Sequence, residues 1–82
     1  MLEEYLNCAM SKAIYEKLED GTYFGKIPPC MGVVAFGESL YKCQEELYSA
    51  LEGWIIVKLR HNDHFPVIDS IDLTPKREVA YA

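Results

Sequence analysis

The hydrophobic pattern in the second half of the chain predicts one long amphipathic helix. Apolar residues recur at intervals of three and four between positions 40 and 54, and charged residues fall between them. Ser39 stands just before this run and is a suitable N-cap. We therefore predict a helix from residue 40 to about residue 60, with Trp54 as a core anchor. Its apolar face comprises Leu40, Cys43, Leu47, Ala50, Leu51 and Trp54.

A second pattern, nearer the start of the chain, predicts a β-hairpin. Residues 12–19 and 22–28 are rich in aromatic and β-branched residues, and Asp20-Gly21 separates them. That dipeptide is typical of two-residue turns because it tolerates positive φ. Alternation along the second strand predicts two faces: Tyr23, Gly25 and Ile27 on one, Thr22, Phe24 and Lys26 on the other.

Two further strands and a short helix complete the predicted elements. Pro28 ends the second strand because proline cannot donate to a β-ladder. Gly32 permits a reversal into a third strand at residues 33–36, and Gly37 closes it. Residues 65–73 alternate imperfectly and are predicted to form a final edge strand. Residues 2–10 have helical spacing but are too few to form a stable helix without tertiary contacts.

This order of elements favours an α+β fold in two layers. We expect a three-stranded antiparallel sheet plus a final edge strand, packed by one long amphipathic helix, with a short N-terminal helix. Residues 1–11 would be an N-terminal helical extension, residues 12–73 the domain, and residues 74–82 a flexible tail.

Size and charge narrow the range of partners. A chain of 82 residues supports one domain with a thin core, so self-association is an expected source of additional stability. With 13 acidic and 8 basic residues the net charge is −5, which repels a phosphate backbone and attracts a basic protein. We therefore expect a homo-oligomer, a dimer or higher, that does not bind nucleic acid directly.

The cysteines and the N-terminal sequence indicate a cytoplasmic protein. The three cysteines are odd in number and lack Cys-x-x-Cys spacing, so neither a disulfide framework nor a zinc site is indicated. The first residues are acidic where a signal peptide is basic. Apolar runs are far too short to cross a membrane, so no membrane association is expected.

Candidate metal and nucleophile sites have weak support in the sequence. His61, Asp63 and His64 include metal-ligating types, but neighbours in one loop converge on an ion only with distant help, and a solvated turn is favoured. Cys30 and Cys43 lie on apolar patterns, which favours inert buried thiols. We predict no metal and no cofactor.

Carboxylate clusters and base-stacking aromatics are two further candidate sites. Asp20 belongs to the predicted turn, Glu38 to the helix start, and Asp69 and Asp72 to another edge, so a two-metal nuclease site is not favoured and no catalytic residue is predicted. Aromatic residues on the predicted sheet favour packing over RNA stacking because few basic residues accompany them. Any exposed ones favour a protein interface. These aromatics are Tyr15, Tyr23, Phe24 and Phe36.

The stretch from residue 20 to residue 40 resembles the N-terminal domain of the HicB family of antitoxins. The shared order is an Asp-Gly turn, an aromatic-rich strand, a proline, a glycine, a short strand ending in glycine, a Ser/Thr and a helix start. The resemblance extends over about residues 14–54. Its positions here are Asp20, Gly21, Tyr23, Phe24, Pro28, Gly32, Gly37, Ser39 and Leu40.

This resemblance implies a partial ribonuclease-H-like fold and a role in a bacterial toxin–antitoxin system. The domain would bind and mask a small basic ribonuclease toxin of the HicA type, and would also associate with itself. The helix start, with Tyr41, Lys42, Glu45 and Glu46, is the possible partner interface. Family members often carry a C-terminal DNA-binding segment, whereas this chain ends soon after Leu73, so we expect no DNA binding. The alternative is a solitary homo-oligomeric HicB-like domain with a different protein- or small-ligand-binding role.

Overall fold

The computed structural model describes residues 2–61, 64–68 and 71. It has an α+β architecture in which three antiparallel strands lie in the order β1-β2-β3 and the second helix packs on one face of the sheet. This confirms the predicted fold class, the three strands and both helices. The elements are α1 Leu2–Ser11, β1 Ile14–Lys17, β2 Tyr23–Lys26, β3 Val34–Gly37 and α2 Leu40–Arg60.

The turn between β1 and β2 is one residue longer than the Asp20-Gly21 dipeptide predicts. The Gly21 amide donates to the Leu18 carbonyl at 3.0 Å, and the Leu18 amide donates to the Thr22 carbonyl at 2.7 Å. Three residues therefore form the loop, and Gly21 takes the left-handed position with φ of 88°. The Asp20 carboxylate accepts from the Thr22 amide at 3.0 Å and from its hydroxyl at 2.6 Å, which holds the turn.

Two successive turns connect β2 to β3. The Cys30 amide donates to the Ile27 carbonyl at 2.9 Å, and the Val33 amide donates to the Cys30 carbonyl at 3.1 Å. Pro28 and Pro29 occupy the centre of the first turn. Gly32 lies in the second with φ of 94°, a conformation that glycine adopts without strain. The reversal predicted at Gly32 is thus confirmed.

The inner face of the sheet has small residues at the points where α2 packs on it, and the outer face has larger apolar ones. On the inner face Gly25 pairs with Tyr15 and with Ala35. A Cβ at Gly25 would lie 3.1 Å from the Cys43 Sγ, and one at Gly37 would lie 2.7 Å from the Cys43 Cα. The helix therefore rests directly on these glycines. The faces predicted for Gly25 and for Phe24 are confirmed.

Helix α2 begins where the sequence predicts but buries a narrower stripe. The Ser39 side chain accepts from the Lys42 amide at 3.1 Å and caps the helix. Leu40 is 42% exposed, which differs from the prediction, whereas Trp54 is half-buried and packs against the core. Leu40 is exposed because α2 first meets the sheet one turn later, at Cys43, which lies against Gly25 and Gly37. The buried stripe is Cys43, Leu47, Leu51 and Ile55.

The C-terminal half of α2 is covered by α1 and by the segment that follows α2. Tyr5 is fully buried, and its hydroxyl donates to the Pro66 carbonyl at 2.7 Å. The Phe65 ring lies edge-on to the Tyr5 ring at 6.0 Å and to the Trp54 ring at 5.7 Å. The short N-terminal helix therefore docks on this chain's own α2 and completes its core.

The predicted final edge strand is not observed as part of the sheet. In its described portion, residues 65–68 and 71, Ile68 and Ile71 form an isolated bridge, with hydrogen bonds of 3.1 and 2.8 Å between their backbones. The described residues of this segment pair with neither β1 nor β3. The rest of that prediction, and the predicted tail at residues 74–82, lie outside the described residues.

Candidate protein-interaction surfaces

The outer sheet face exposes large apolar side chains that α2 does not cover. Phe36 is 60% exposed, Ile14 is 52% exposed and Val34 is 46% exposed. The Phe24 and Phe36 rings stack obliquely, with centroids 5.1 Å apart. Exposed apolar groups gathered in one place mark interaction sites more often than isolated ones do. We define the outer sheet face as Ile14, Glu16, Phe24, Lys26, Val34 and Phe36.

Strand alternation and helix packing together create this face. Each strand directs alternate side chains to opposite sides of the sheet. The inner positions, such as Gly25 and Ala35, are small because α2 approaches them closely. The aromatic and branched residues at intervening positions therefore point to the side where α2 is absent.

A second apolar surface lies in a groove between α1 and α2. The groove has a volume of about 130 Å³. Ile56 is 56% exposed, and Leu2 and Leu59 are also exposed, although all three are large and apolar. Glu52 supplies a charged rim. We define the helix groove by its lining residues, which are Leu2, Leu6, Glu52, Ile55, Ile56 and Leu59.

The helix groove is a feature that the sequence pattern does not predict. The apolar run after Gly53 continues the apolar character of the predicted helix, but Ile56 and Leu59 face solvent. One sequence feature could have indicated the groove: Ile56 comes four residues after Glu52 and therefore lies on the same side of α2. An apolar side chain in line with a charged one indicates an exposed stripe rather than core.

The predicted partner interface at the helix start is exposed on the solvent side of α2. Tyr41, Lys42, Glu45 and Glu46 are all exposed. Lys42 lies 3.6 Å from Glu45, and so exposed an ion pair contributes little to stability. Tyr41, Glu45 and Glu52 are four and seven residues apart, so they lie along one side of α2 in a line that leads to the helix groove. The structure thus brings an acidic stripe and an apolar groove together on α2.

A shallow groove next to Trp54 is the third concave surface. It has a volume of about 250 Å³ and is lined by Pro29, Met31, Trp54, Lys58 and Pro66. The Lys58 Nζ lies 5.2 Å from the centre of the Trp54 ring, in a cation–π arrangement. This contact supports the ring on its exposed side.

The buried cysteines are in surroundings that suppress thiolate chemistry. Burial raises the pKa of Cys30, and it also raises the pKa of Cys43. The Cys43 thiol donates to the Ala35 carbonyl at 3.7 Å. Because the thiolate is the reactive form, a raised pKa makes both residues poor nucleophiles.

The candidate metal and carboxylate residues are scattered. Within residues 2–61, 64–68 and 71, no three histidine, cysteine or acidic side chains are grouped to hold a metal ion. His61 caps the exposed end of α2. Asp20 is in the hairpin turn, and Glu38 is exposed before α2. Asp63, Asp69 and Asp72 lie outside the described residues.

Comparison with known proteins gives the family. A three-stranded antiparallel sheet backed by one long helix defines a small two-layer α+β domain. A family model described as UPF0150-like matches residues 4–66, so this chain belongs to the UPF0150-like family. The match includes most of α1, both hairpins and the helix groove beyond Leu2.

One solved structure is similar over nearly the whole chain. It is the crystal structure of TTHA0281 from Thermus thermophilus, with a TM-score of 0.85 and 35% sequence identity. The alignment covers 93% of this chain and 95% of that one. None of the curated proteins matches this chain. Neither helix in the described part has the length and hydropathy needed to cross a bilayer.

Proposed function

We propose that this chain is a HicB-like antitoxin module that binds and masks a small basic ribonuclease toxin of the HicA type. The observation that carries the proposal is the helix groove, an apolar depression between α1 and α2 with Glu52 at its rim. Family membership and the HicB-like order of residues between Asp20 and Leu40 support it.

The groove and its surroundings fit an amphipathic basic partner. Exposed Leu2, Ile56 and Leu59 offer apolar contact for one face of a helix, in the way that amphipathic helices occupy hydrophobic grooves. The acidic residues Glu45 and Glu52 lie along the same side of α2 and would meet lysine and arginine on the partner. The net charge of −5 would speed the encounter.

Masking requires no chemistry from this chain. A ribonuclease binds its substrate backbone through basic groups. Carboxylates on α2 would pair with those basic groups in place of the RNA phosphates. The apolar groove would supply the affinity that exposed ion pairs lack. Inhibition would then follow from exclusion of RNA.

The proposal also assigns a cellular location. A ribonuclease toxin acts on RNA in the cytoplasm, so its antitoxin is needed there. All three cysteines of this chain are free, as a reducing compartment requires.

Co-expression with the small basic protein encoded next to this chain tests the proposal. We expect the two to co-purify and RNA cleavage by the basic protein to stop at equimolar amounts of this chain. Ile56→Asp and Glu52→Lys should weaken inhibition at least about 30-fold, as loss of a central contact does. Phe36→Ser is the matched control because Phe36 is similarly exposed on a different surface.

Two results would overturn the proposal. One is the absence of co-purification with any small basic neighbour. The other is full inhibition by both groove variants, which would separate the helix groove from toxin binding.

A further inference from the structure

We infer that the outer sheet face joins two copies of this chain, with Glu16 of each copy beside the Lys26 of the other. This inference is independent of the proposed toxin, because it concerns a different surface and needs no other protein.

The uncovered area of the face is the first argument. Ile14, Val34 and Phe36 are each about half exposed or more, although the same sheet buries its opposite side under α2. Phe24 and Phe36 already stack on each other. A second layer over this face would remove their remaining surface from water, which is favourable in proportion to the apolar area covered.

Charge complementarity points to a second copy as that layer. The chain as a whole is acidic, with 13 acidic and 8 basic residues, so most of its surface repels another copy. The outer sheet face carries one acid, Glu16, and one base, Lys26. Neither forms an ion pair with another described residue. A neutral face with one unpaired charge of each sign suits an identical face better than it suits a basic protein.

The strand register shows how two copies would match. One row across the sheet consists of Glu16, Phe24 and Phe36. The adjacent row on the same face consists of Ile14, Lys26 and Val34.

A two-fold axis that runs across the strands between these rows places each row over the other row of the second copy. Phe36 then meets the second copy's Val34. Glu16 and the second copy's Lys26 are then offset sideways by one strand spacing, ~4.8 Å. The two sheets are ~10 Å apart, and a lysine side chain is long enough to bridge this separation. Two-fold symmetry forms this contact twice.

The size of the face sets the expected affinity. Three strands of four residues cover an area of ~10 Å by ~13 Å, which is below the area that permanent dimers bury. We therefore expect weak, reversible association with a dissociation constant of about 100 µM.

Sedimentation velocity of the full chain, from about 1 µM to about 1 mM at low salt, tests the inference. We expect a monomer–dimer equilibrium. Phe36→Ser should weaken it at least about 30-fold, and Glu16→Lys or Lys26→Glu alone about 10-fold, because each places like charges together twice. The double variant Glu16→Lys/Lys26→Glu should return to within about threefold of the parent, because reciprocal pairing is restored.

Ile56→Ser is the control, since it alters a similarly exposed residue in the helix groove and should leave association unchanged. Circular dichroism verifies that each variant is folded. A parent that stays monomeric throughout, or a dimer that Ile56→Ser weakens and Phe36→Ser does not, would overturn the inference. Failure of the double variant to recover would overturn the Glu16–Lys26 contact.

Discussion

The inner and outer faces of the sheet differ in a way that separates folding from recognition. The inner face has Gly25, Ala35 and Gly37, and α2 lies directly against them. The outer face has Phe24 and Phe36, and α2 does not cover them. Residues of the inner face are small where α2 lies directly against them, and Tyr15 on the same face packs against the core, whereas the large apolar residues of the outer face stay exposed. Large apolar side chains that stay exposed on this sheet therefore form a candidate contact surface, while stability comes from the close approach of α2.

The largest expected difference is between a core residue of α2 and an outer-face residue. Leu47 is fully buried over the inner face, so Leu47→Ala should lower the free energy of unfolding by about 3–5 kcal/mol. Phe36→Ala removes a larger side chain but should lower it by less than about 1 kcal/mol, because Phe36 is mostly exposed. Urea unfolding at about 1 µM chain, below the expected dimerisation range, measures both. Equal losses would abolish the distinction between the faces.

A smaller effect is expected where the inner face must stay free of side chains. Gly37→Ala adds a Cβ 2.7 Å from the Cys43 Cα, and a backbone atom of a capped helix has little freedom to move away. We expect a loss of about 2–3 kcal/mol in the same urea experiment. Ala35→Gly, a change of one methyl group on the same strand, is the comparison and should cost about 1 kcal/mol. A neutral Gly37→Ala would mean that α2 does not rest on β3.

The hairpin turn lies away from both faces of the sheet, so substitutions there change backbone strain without changing side-chain packing. Gly21 has φ of 88°, and a Cβ added there would meet no atom within 4 Å, so Gly21→Val should cost about 1–2 kcal/mol through backbone strain alone. Gly53 also has open space but lies inside α2, so Gly53→Ala should raise stability by about 0.5–1 kcal/mol. Thermal unfolding of both variants checks the opposite signs. A shift of the same sign in both would contradict the conformation assigned to Gly21.

The smallest expected effect concerns the pH response of this turn. Hydrogen bonds from the Thr22 hydroxyl and amide lower the pKa of Asp20 below its ordinary value of 3.8. A lowered pKa in the folded state stabilises the fold above the unfolded value, and this contribution is lost as pH falls through the folded value. Asp20→Asn should therefore flatten the stability profile below pH about 4. An NMR titration of Asp20 with a midpoint at or above 3.8 would contradict the turn geometry.

Local features of this fold could be predicted from the sequence. Ser39 caps α2 as its position indicates, and alternation assigns Gly25 and Phe24 to the correct faces. These features depend on neighbours within a few residues. The prediction of a two-residue turn at Gly21 is wrong because one dipeptide fits both the two-residue and the three-residue geometry.

Features that depend on distant contacts could not be predicted. Leu40 is exposed because α2 first meets the sheet at Cys43, one turn later, and this contact depends on the distant Gly25. The helix groove exists because α1 docks on α2, and the Tyr5 contact with Pro66 joins residues 61 positions apart. The hydrophobic pattern of α1 and that of the segment after α2 do not indicate that these two parts of the chain pack together.

The most direct test of the central claim, that this chain works by binding a basic protein through the helix groove, is an NMR titration. Labelled chain is titrated with the small basic protein encoded beside it, and backbone amide shifts are followed. The account predicts the largest shifts at Leu6, Glu52, Ile56 and Leu59, with the inner-face residues Gly25 and Ala35 unaffected. Unchanged spectra, or shifts confined to the Asp20 turn, would contradict it.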